Sequence, residues 1–180
     1  MEYIDVLDEN GNKKHIVRNK QLIYKMGDWH RTVHVWVLNS RNELLIQKRA
    51  VDKETFAGLW AISVAGHVRT GEDSIFAAKR ELKEEINLNV NDNDLKFIFS
   101  LKRKQPCQAG ILNVHDDVYL LQRDLDITNI SLQIEEVTDV RFINYKEFEN
   151  YLKKGDPRFV PYCDEHKMLF EYLRKNMNLE

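Results

Sequence analysis

Glu72, Arg80, Glu81, Glu84 and Glu85 lie close together in one short stretch of the chain, at spacings that could do chemistry together. Glu81, Glu84 and Glu85 stand at i, i+3 and i+4, so on a helix their carboxylates gather on one side. Like charges at that spacing repel by roughly 0.2–0.5 kcal/mol per pair unless something neutralises them. Lys79, Arg80 and Lys83 could do so in a solvated helix laced with ion pairs. A hard divalent cation is the other solution. Mg²⁺ or Mn²⁺ prefers carboxylate oxygens and water, and commonly completes its shell with phosphate oxygens. The chemistry that follows is water attack on phosphorus, in which a metal neutralises charge and acidifies the attacking water.

Such carboxylates need a rigid support. Ile75, Ala78, Leu82 and Ile86 recur at three- and four-residue steps, which predicts a helix over 73–87 with one face to bury. Asp73 or Ser74 suits its N-cap, and Asn87 suits the left-handed residue that ends it. Around this helix the pattern is mostly β. Strands are expected at 2–7, 31–39, 44–47, 95–103, 117–122 and 137–143, with a β-leaning segment at 59–65. Val33, Val35 and Val37 share one face, and Asn39-Ser40-Arg41-Asn42 reads as a hairpin turn. Residues 145–153 and 162–176 are helix-periodic. Strands interleaved with helices predict an α/β fold, a mixed sheet sandwiched by helices in one domain spanning 1–180.

Composition narrows the partners. The chain has 180 residues, 43% hydrophobic and 31% charged, with a net charge of -2. That balance gives no electrostatic case for nucleic acid or an anionic membrane surface. No apolar run approaches the ~20 residues of a membrane span. The acidic start Met1-Glu2-Tyr3-Ile4-Asp5 does not resemble a signal peptide. Cys107 and Cys163 lie far apart with no zinc-like spacing, which favours a reducing compartment. The expectation is a soluble, cytoplasmic protein.

From Gly66 to Leu88 the sequence resembles the Nudix box: Gly, five residues, Glu, seven residues, then Arg-Glu-aliphatic-any-Glu-Glu-any-Gly-aliphatic. Gly66, Glu72, Arg80, Glu81, Leu82, Glu84, Glu85 and Leu88 fall in register, and Asn87 stands where the family has Gly. The resemblance implies a Nudix-like α/β/α sandwich and hydrolysis of a diphosphate linked to another moiety. It implies that Glu81, Glu84 and Glu85 hold Mg²⁺ or Mn²⁺, with the Gly66 carbonyl as a further ligand. Arg80 would pair with a box glutamate, and Glu72 would support the loop before the helix. The general base is not specified by the box. Glu135, Glu136, Asp116 and Asp117 are the open alternatives.

Trp29-His30-Arg31, Gln47-Lys48-Arg49-Ala50, Lys53, Gly58-Leu59-Trp60 and Ser63-Val64-Ala65-Gly66-His67 are similar to a particular Nudix branch. That branch includes isopentenyl-diphosphate isomerase and its hydrolase relatives. By that similarity Arg49 and Lys53 would contact the diphosphate. His30 and His67 match isomerase metal ligands, and with the glutamates present His67 is assigned to the substrate. His34 reads as a satisfied histidine on an alternating strand, and Trp60 as packing or a base-stacking surface. The isomerase has a catalytic cysteine where this chain has Ala65, and it lacks most of the box glutamates. Hydrolysis of a small nucleoside diphosphate derivative is therefore expected. The alternatives are isomerisation of isopentenyl diphosphate and a module that binds nucleotide metabolites without turnover. A homodimer is left open.

Overall fold

The computed structural model describes residues 2–53, 55–107 and 109–176. In chain order the elements are β1 (Tyr3–Leu7), β2 (Lys13–Asn19), α1 (Lys20–Met26), β3 (Trp29–Leu38) and β4 (Glu43–Arg49). There follow β5 (Trp60–Ala61), β6 (Val64–His67), α2 (Ser74–Ile86), β7 (Leu95–Cys107) and β8 (Gly110–Gln122). β9 (Val137–Asn144), α3 (Tyr145–Lys153) and α4 (Cys163–Asn176) complete the chain.

One mixed sheet organises all nine strands. β3 is its centre. It pairs in parallel with β8 from Trp29↔Asn113 to Leu38↔Gln122, while its other edge takes β6 antiparallel from Thr32↔His67 to Val35↔Val64. β4 meets β3 at Leu38↔Leu44 and carries β9 and β5 on its own edges. β7 and β8 form a long antiparallel hairpin.

β3 is buried on both faces, as a sheet covered by helices requires. Val33, Val35 and Val37 pack with Ala77, Ala78, Leu82 and Ile86 of α2. On the opposite face Trp36 and Leu38 pack with Phe148 of α3 and Leu169, Phe170 and Leu173 of α4. The expected α/β/α sandwich on a mixed sheet is present. Among the described residues no helix is long and apolar enough to cross a membrane.

Several boundaries differ from the sequence pattern. β2 and α1 had no assignment. Most of β2 is exposed, so it carries no alternation, and α1 has only seven residues. The 59–65 segment is two strands with different partners, since β5 pairs with β4 and β6 with β3. β8 starts at Gly110 rather than 117 because its register against β7 runs the whole length of both strands. The helices at 145–153 and 162–176 match α3 and α4 within a residue.

Both ends of α2 follow from side-chain chemistry. Asp73 accepts from the Phe76 N–H at 2.8 Å, satisfying one of the free donors of the first turn. Asn87 sits at φ 55°, ψ 33°, and its N–H closes on the Leu82 carbonyl. A β-branched residue there pays about 1–2 kcal/mol for the left-handed conformation, whereas Gly does not. Asn87→Gly should therefore be neutral or slightly stabilising, and Asn87→Val should lower the unfolding free energy by about that amount, read as a lower denaturant midpoint. Equal midpoints for the two variants would contradict this account of the helix end.

Candidate active site

α2 lies across β6 and β3, and a cleft opens where its carboxylate face meets the sheet. The cleft brings together Gly66, His67, Glu81, Glu84 and Glu85 from the box with Arg49, Lys53 and Glu136 from outside it. Lys20, Arg69, Arg103 and Tyr162 line it as well.

Glu81 and Glu85 are the buried pair, 7% and 4% exposed. Burial pushes the Glu81 carboxyl up to about 7, although Arg80 beside it acts in the opposite direction. Burial, together with the neighbouring Glu81 charge, pushes Glu85 up to about 8. Glu85 takes a long hydrogen bond, 3.4 Å, from the Ala65 N–H. A Cβ added to Gly66 would fall 2.0 Å from Glu81 Cδ, so only glycine leaves room for that carboxylate.

Glu84 behaves differently. It is exposed and accepts from both terminal nitrogens of Arg69, at 3.2 and 3.1 Å, and from Arg80 at 3.1 Å. Arg80 is the hub of the motif. It donates to Glu72 at 2.7 and 2.9 Å, to Glu81 at 2.6 Å and to the His67 carbonyl at 2.8 Å. Glu72 also accepts from the Arg69 N–H at 3.0 Å, which ties the loop to the helix. Although burial opposes it, Arg80 holds the Glu72 carboxyl below its ordinary value.

The three glutamates thus share a side of α2 without meeting at a point. Among the described residues no three His, Cys, Asp or Glu side chains converge at metal-ligand distance. Arg69 and Arg80 draw Glu84 outward, while Glu81 and Glu85 stay under the sheet. The donor chemistry nonetheless suits a hard divalent cation. Glu81 packs into the space that Gly66 leaves by having no side chain, and Glu85 is buried beside it, so both carboxylates present oxygens of the kind such an ion takes.

The basic wall faces them. The Arg49 guanidinium is held by Thr55, through its carbonyl at 3.0 Å and its hydroxyl at 3.3 Å, and among the described residues it makes no ion pair with a carboxylate. Burial, with Arg49 and Lys20 nearby, pushes the Lys53 ammonium down to about 8. Lys53 is also ion-paired with Glu136. His67 accepts or donates at 2.8 Å to the Tyr24 hydroxyl and stacks on His30 at 5.4 Å. Burial and the neighbouring His30 hold its ring neutral, well below the ordinary value, and burial pushes His30 down to about 4.

Of the four carboxylates considered as a base, only Glu136 lines the cleft. Asp117 points away to Arg31 at 2.7 Å, and Glu135 is exposed. Asp116 is fully buried and spent on Arg103, Thr32 and His34. His34 is a satisfied core histidine, 2.7 Å from Glu165. Trp60 lies outside the cleft, with the Arg141 guanidinium 4.3 Å over its ring. Lys20, Arg69, Arg103 and Tyr162 went unnoticed in the sequence. Arg69 lies within the box at a position the motif leaves unspecified, and Lys20, Arg103 and Tyr162 are far from it in sequence, so local pattern could not bring them to it.

The fold is that of the Nudix family, and comparison with known proteins agrees. The NUDIX domain profile matches residues 28–163. The chain is 35% identical over 97% of its length to Nudix hydrolase 3 of Arabidopsis thaliana, spanning only 23% of that longer protein. It is 36% identical to an uncharacterized Nudix hydrolase of Listeria innocua, covering 90% of each. An isopentenyl-diphosphate Δ-isomerase of Photorhabdus laumondii is 29% identical over 90% of each chain. Among solved structures, DR0079 of Deinococcus radiodurans superposes with a TM-score of 0.70, covering 94% of this chain and 98% of that one at 20% identity. The chain belongs to the Nudix family.

The buried glutamates make stability depend on pH in a stated direction. Their folded pKa values lie above the unfolded value, so the folded state holds protons that the unfolded state has lost. Their contribution is complete below about 4.5 and is lost as pH rises through 7 and 8. The depressed histidines act in the opposite sense below about 6.5, whereas His34, whose pKa is raised, adds a fall of the same sign above it, so over 6.5–8 the glutamate share is read from the difference between the parent and Glu85→Gln. With divalent ions chelated, the melting temperature should fall across that range, and Glu85→Gln should flatten the fall. A parent protein whose melting temperature is constant from pH 6.5 to 8 would refute the buried-carboxylate account.

Proposed function

We propose that the protein is a Mg²⁺- or Mn²⁺-dependent pyrophosphohydrolase acting on a small nucleoside diphosphate derivative, as one Nudix domain over residues 1–180. One observation carries this reading. The buried carboxylates Glu81 and Glu85 and the basic residues Arg49 and Lys53 face one cleft, with Glu136 beside them. A diphosphate has the charge to satisfy the basic side and, with a divalent ion, the oxygens to satisfy the acidic side.

In this reading Arg49 and Lys53 bind and orient the diphosphate. Glu81, Glu84, Glu85 and the Gly66 carbonyl would hold the metal ion, which when bound neutralises phosphoryl charge and acidifies water. Arg80 and Glu72 position the helix against its loop through their ion pair. Glu136 is the group that would take a proton from the attacking water, and it lines the cleft in contact with Lys53. His67, neutral and hydrogen-bonded to Tyr24, is suited to donate to or accept from the substrate without adding charge.

Isomerisation is the weaker reading. It needs an acid and a base across a carbon–carbon double bond, and the Ala65 methyl can neither give nor take a proton. Cys107 and Cys163 are free thiols outside the cleft lining. A binding module without turnover is weaker still, because every box carboxylate is retained.

Glu85→Gln and Glu84→Gln should each lower activity at limiting Mg²⁺ by at least the ~10–100-fold typical of disturbing a metal's outer partners. Helix content should be unchanged, since glutamine matches glutamate in size and propensity. Parent-level turnover by either variant would remove the metal assignment. In a second test, one purified sample is assayed for phosphate or nucleotide release from a panel of diphosphate compounds and for interconversion of isopentenyl and dimethylallyl diphosphate. Metal-dependent release without interconversion is expected, and interconversion without release from any compound would overturn the proposal.

A further inference from the structure

A second cavity, of about 640 Å³, opens between α3, α4 and the loop that joins them, with Phe56 and Leu59 of the β4–β5 connection closing its remaining side. It shares no lining residue with the diphosphate cleft. The two are divided by a ring contact. Phe56, which lines this cavity, meets Tyr162, which lines the cleft, nearly edge-on at 5.7 Å.

The loop is held off the cavity by β5. Trp60 N–H donates to the Arg158 carbonyl at 2.8 Å, and Val160 N–H donates to the Trp60 carbonyl at 2.9 Å. Leu152, Phe159 and Phe170 supply apolar lining. The charged side chains around them are mostly matched. Glu149 takes Lys153 at 3.0 Å and Arg174 at 3.1 Å, and Asp156 takes Arg158 at 2.7 Å. Lys167, exposed on α4, is the cation left at the edge. Apolar walls with few polar groups, at this volume, are the usual make-up of a small-molecule site.

One polar side chain interrupts those walls. His166 is only 5% exposed and packs against the rings of Trp36, Phe148, Tyr162 and Phe170. Among the described residues neither of its ring nitrogens makes a hydrogen bond, yet neither is sealed from solvent as a buried unpaired atom would be. The opening left to the ring is the cavity it lines. Burial pushes the imidazole down to about 4, so at neutral pH it is uncharged, with one nitrogen a donor and the other an acceptor. A hydroxyl, itself donor and acceptor, complements either nitrogen and brings no charge into an apolar space.

We propose that this cavity is a second ligand site, taking an uncharged aromatic alcohol with its ring among Phe56, Phe159 and Phe170 and its hydroxyl hydrogen-bonded to His166. Aromatic walls favour an aromatic occupant, because rings gain from edge-to-face contact beyond the area they bury. The site is independent of the chemistry in the cleft and stands whether or not the cleft cleaves a diphosphate.

The test titrates the whole protein by calorimetry with 4-propylphenol, propylbenzene and 4-propylbenzoate. The phenol should bind at least about fivefold more tightly than either of the others. His166→Phe keeps a ring among the aromatic neighbours but no nitrogen, so it should abolish the preference for phenol over propylbenzene while propylbenzene binding holds. Leu152→Trp fills the cavity and should weaken both about tenfold or more. Each variant is checked by a melting curve. Cys163, an exposed free thiol in the lining, reports position without any substitution. Bound phenol should slow its alkylation by iodoacetamide and leave Cys107, which is outside the lining, unchanged. Equal affinity of the parent for phenol and propylbenzene, or no binding of the phenol, overturns the proposal. So does tightest binding by the benzoate, which would move the polar contact to Lys167. Phenol binding that neither protects Cys163 nor responds to Leu152→Trp places the probe elsewhere and overturns it as well.

Discussion

Two carboxylates placed under a helix, away from water and short of counter-charge, set the terms for the rest of this structure. Glu81 and Glu85 are held between α2 and β6, and burial raises both carboxyl groups into the neutral range. An isolated buried carboxylate is expensive, and side chains and backbone around this pair are arranged to limit that expense without abolishing it. Arg80 neutralises Glu81 from one side, and Glu72 fixes Arg80 in turn. Among the described residues Glu85 has no ion pair of that kind, and Lys53 and Arg49 act on it only through their charge. In the proposed function a divalent ion would meet that demand for positive charge.

Satisfying that constraint requires rigid supports on both faces of the sheet. On one face, Ala77, Ala78, Leu82 and Ile86 bury α2 against the valines of β3, so the glutamates cannot swing out to solvent. On the other face α4 is pinned by a polar anchor. Glu165 reaches His34 and Trp36 through a fully buried contact, and the same histidine adjoins Asp116. Buried ionic networks of this kind contribute more to uniqueness of packing than to net stability. Here the network sets where Arg103 and Tyr162 stand in the wall of the cleft.

Charge is divided within the site. Basic residues that keep their charge available, Arg49 above all, stand opposite the starved glutamates. Arg103, on β7, is ion-paired with Asp116. Glu136 and Lys53 are paired in the lining of the same cleft.

Much of this was legible in the residues themselves. The period of Ile75, Ala78, Leu82 and Ile86 defined α2, and Asp73 and Asn87 marked its ends, because helix caps are local chemistry. The register of Arg80 and the three glutamates along that helix, with Gly66 and Glu72 before it, pointed to the candidate site, since spacing on a helix dictates which side chains share a face. The α/β alternation gave the layered architecture. Local pattern could not show β2 or α1, one exposed and the other short, nor that 59–65 divides between two strands. Nor could it choose among four carboxylates as a base, or tell that Glu84 turns outward to Arg69 while its neighbours are buried. Lys53 and Glu136, or Arg103 and Tyr162, meet only because strands far apart in sequence become neighbours in the sheet. Whether a carboxylate is starved of charge or spent on a partner is a property of those long-range neighbours, so only the tertiary structure decides it.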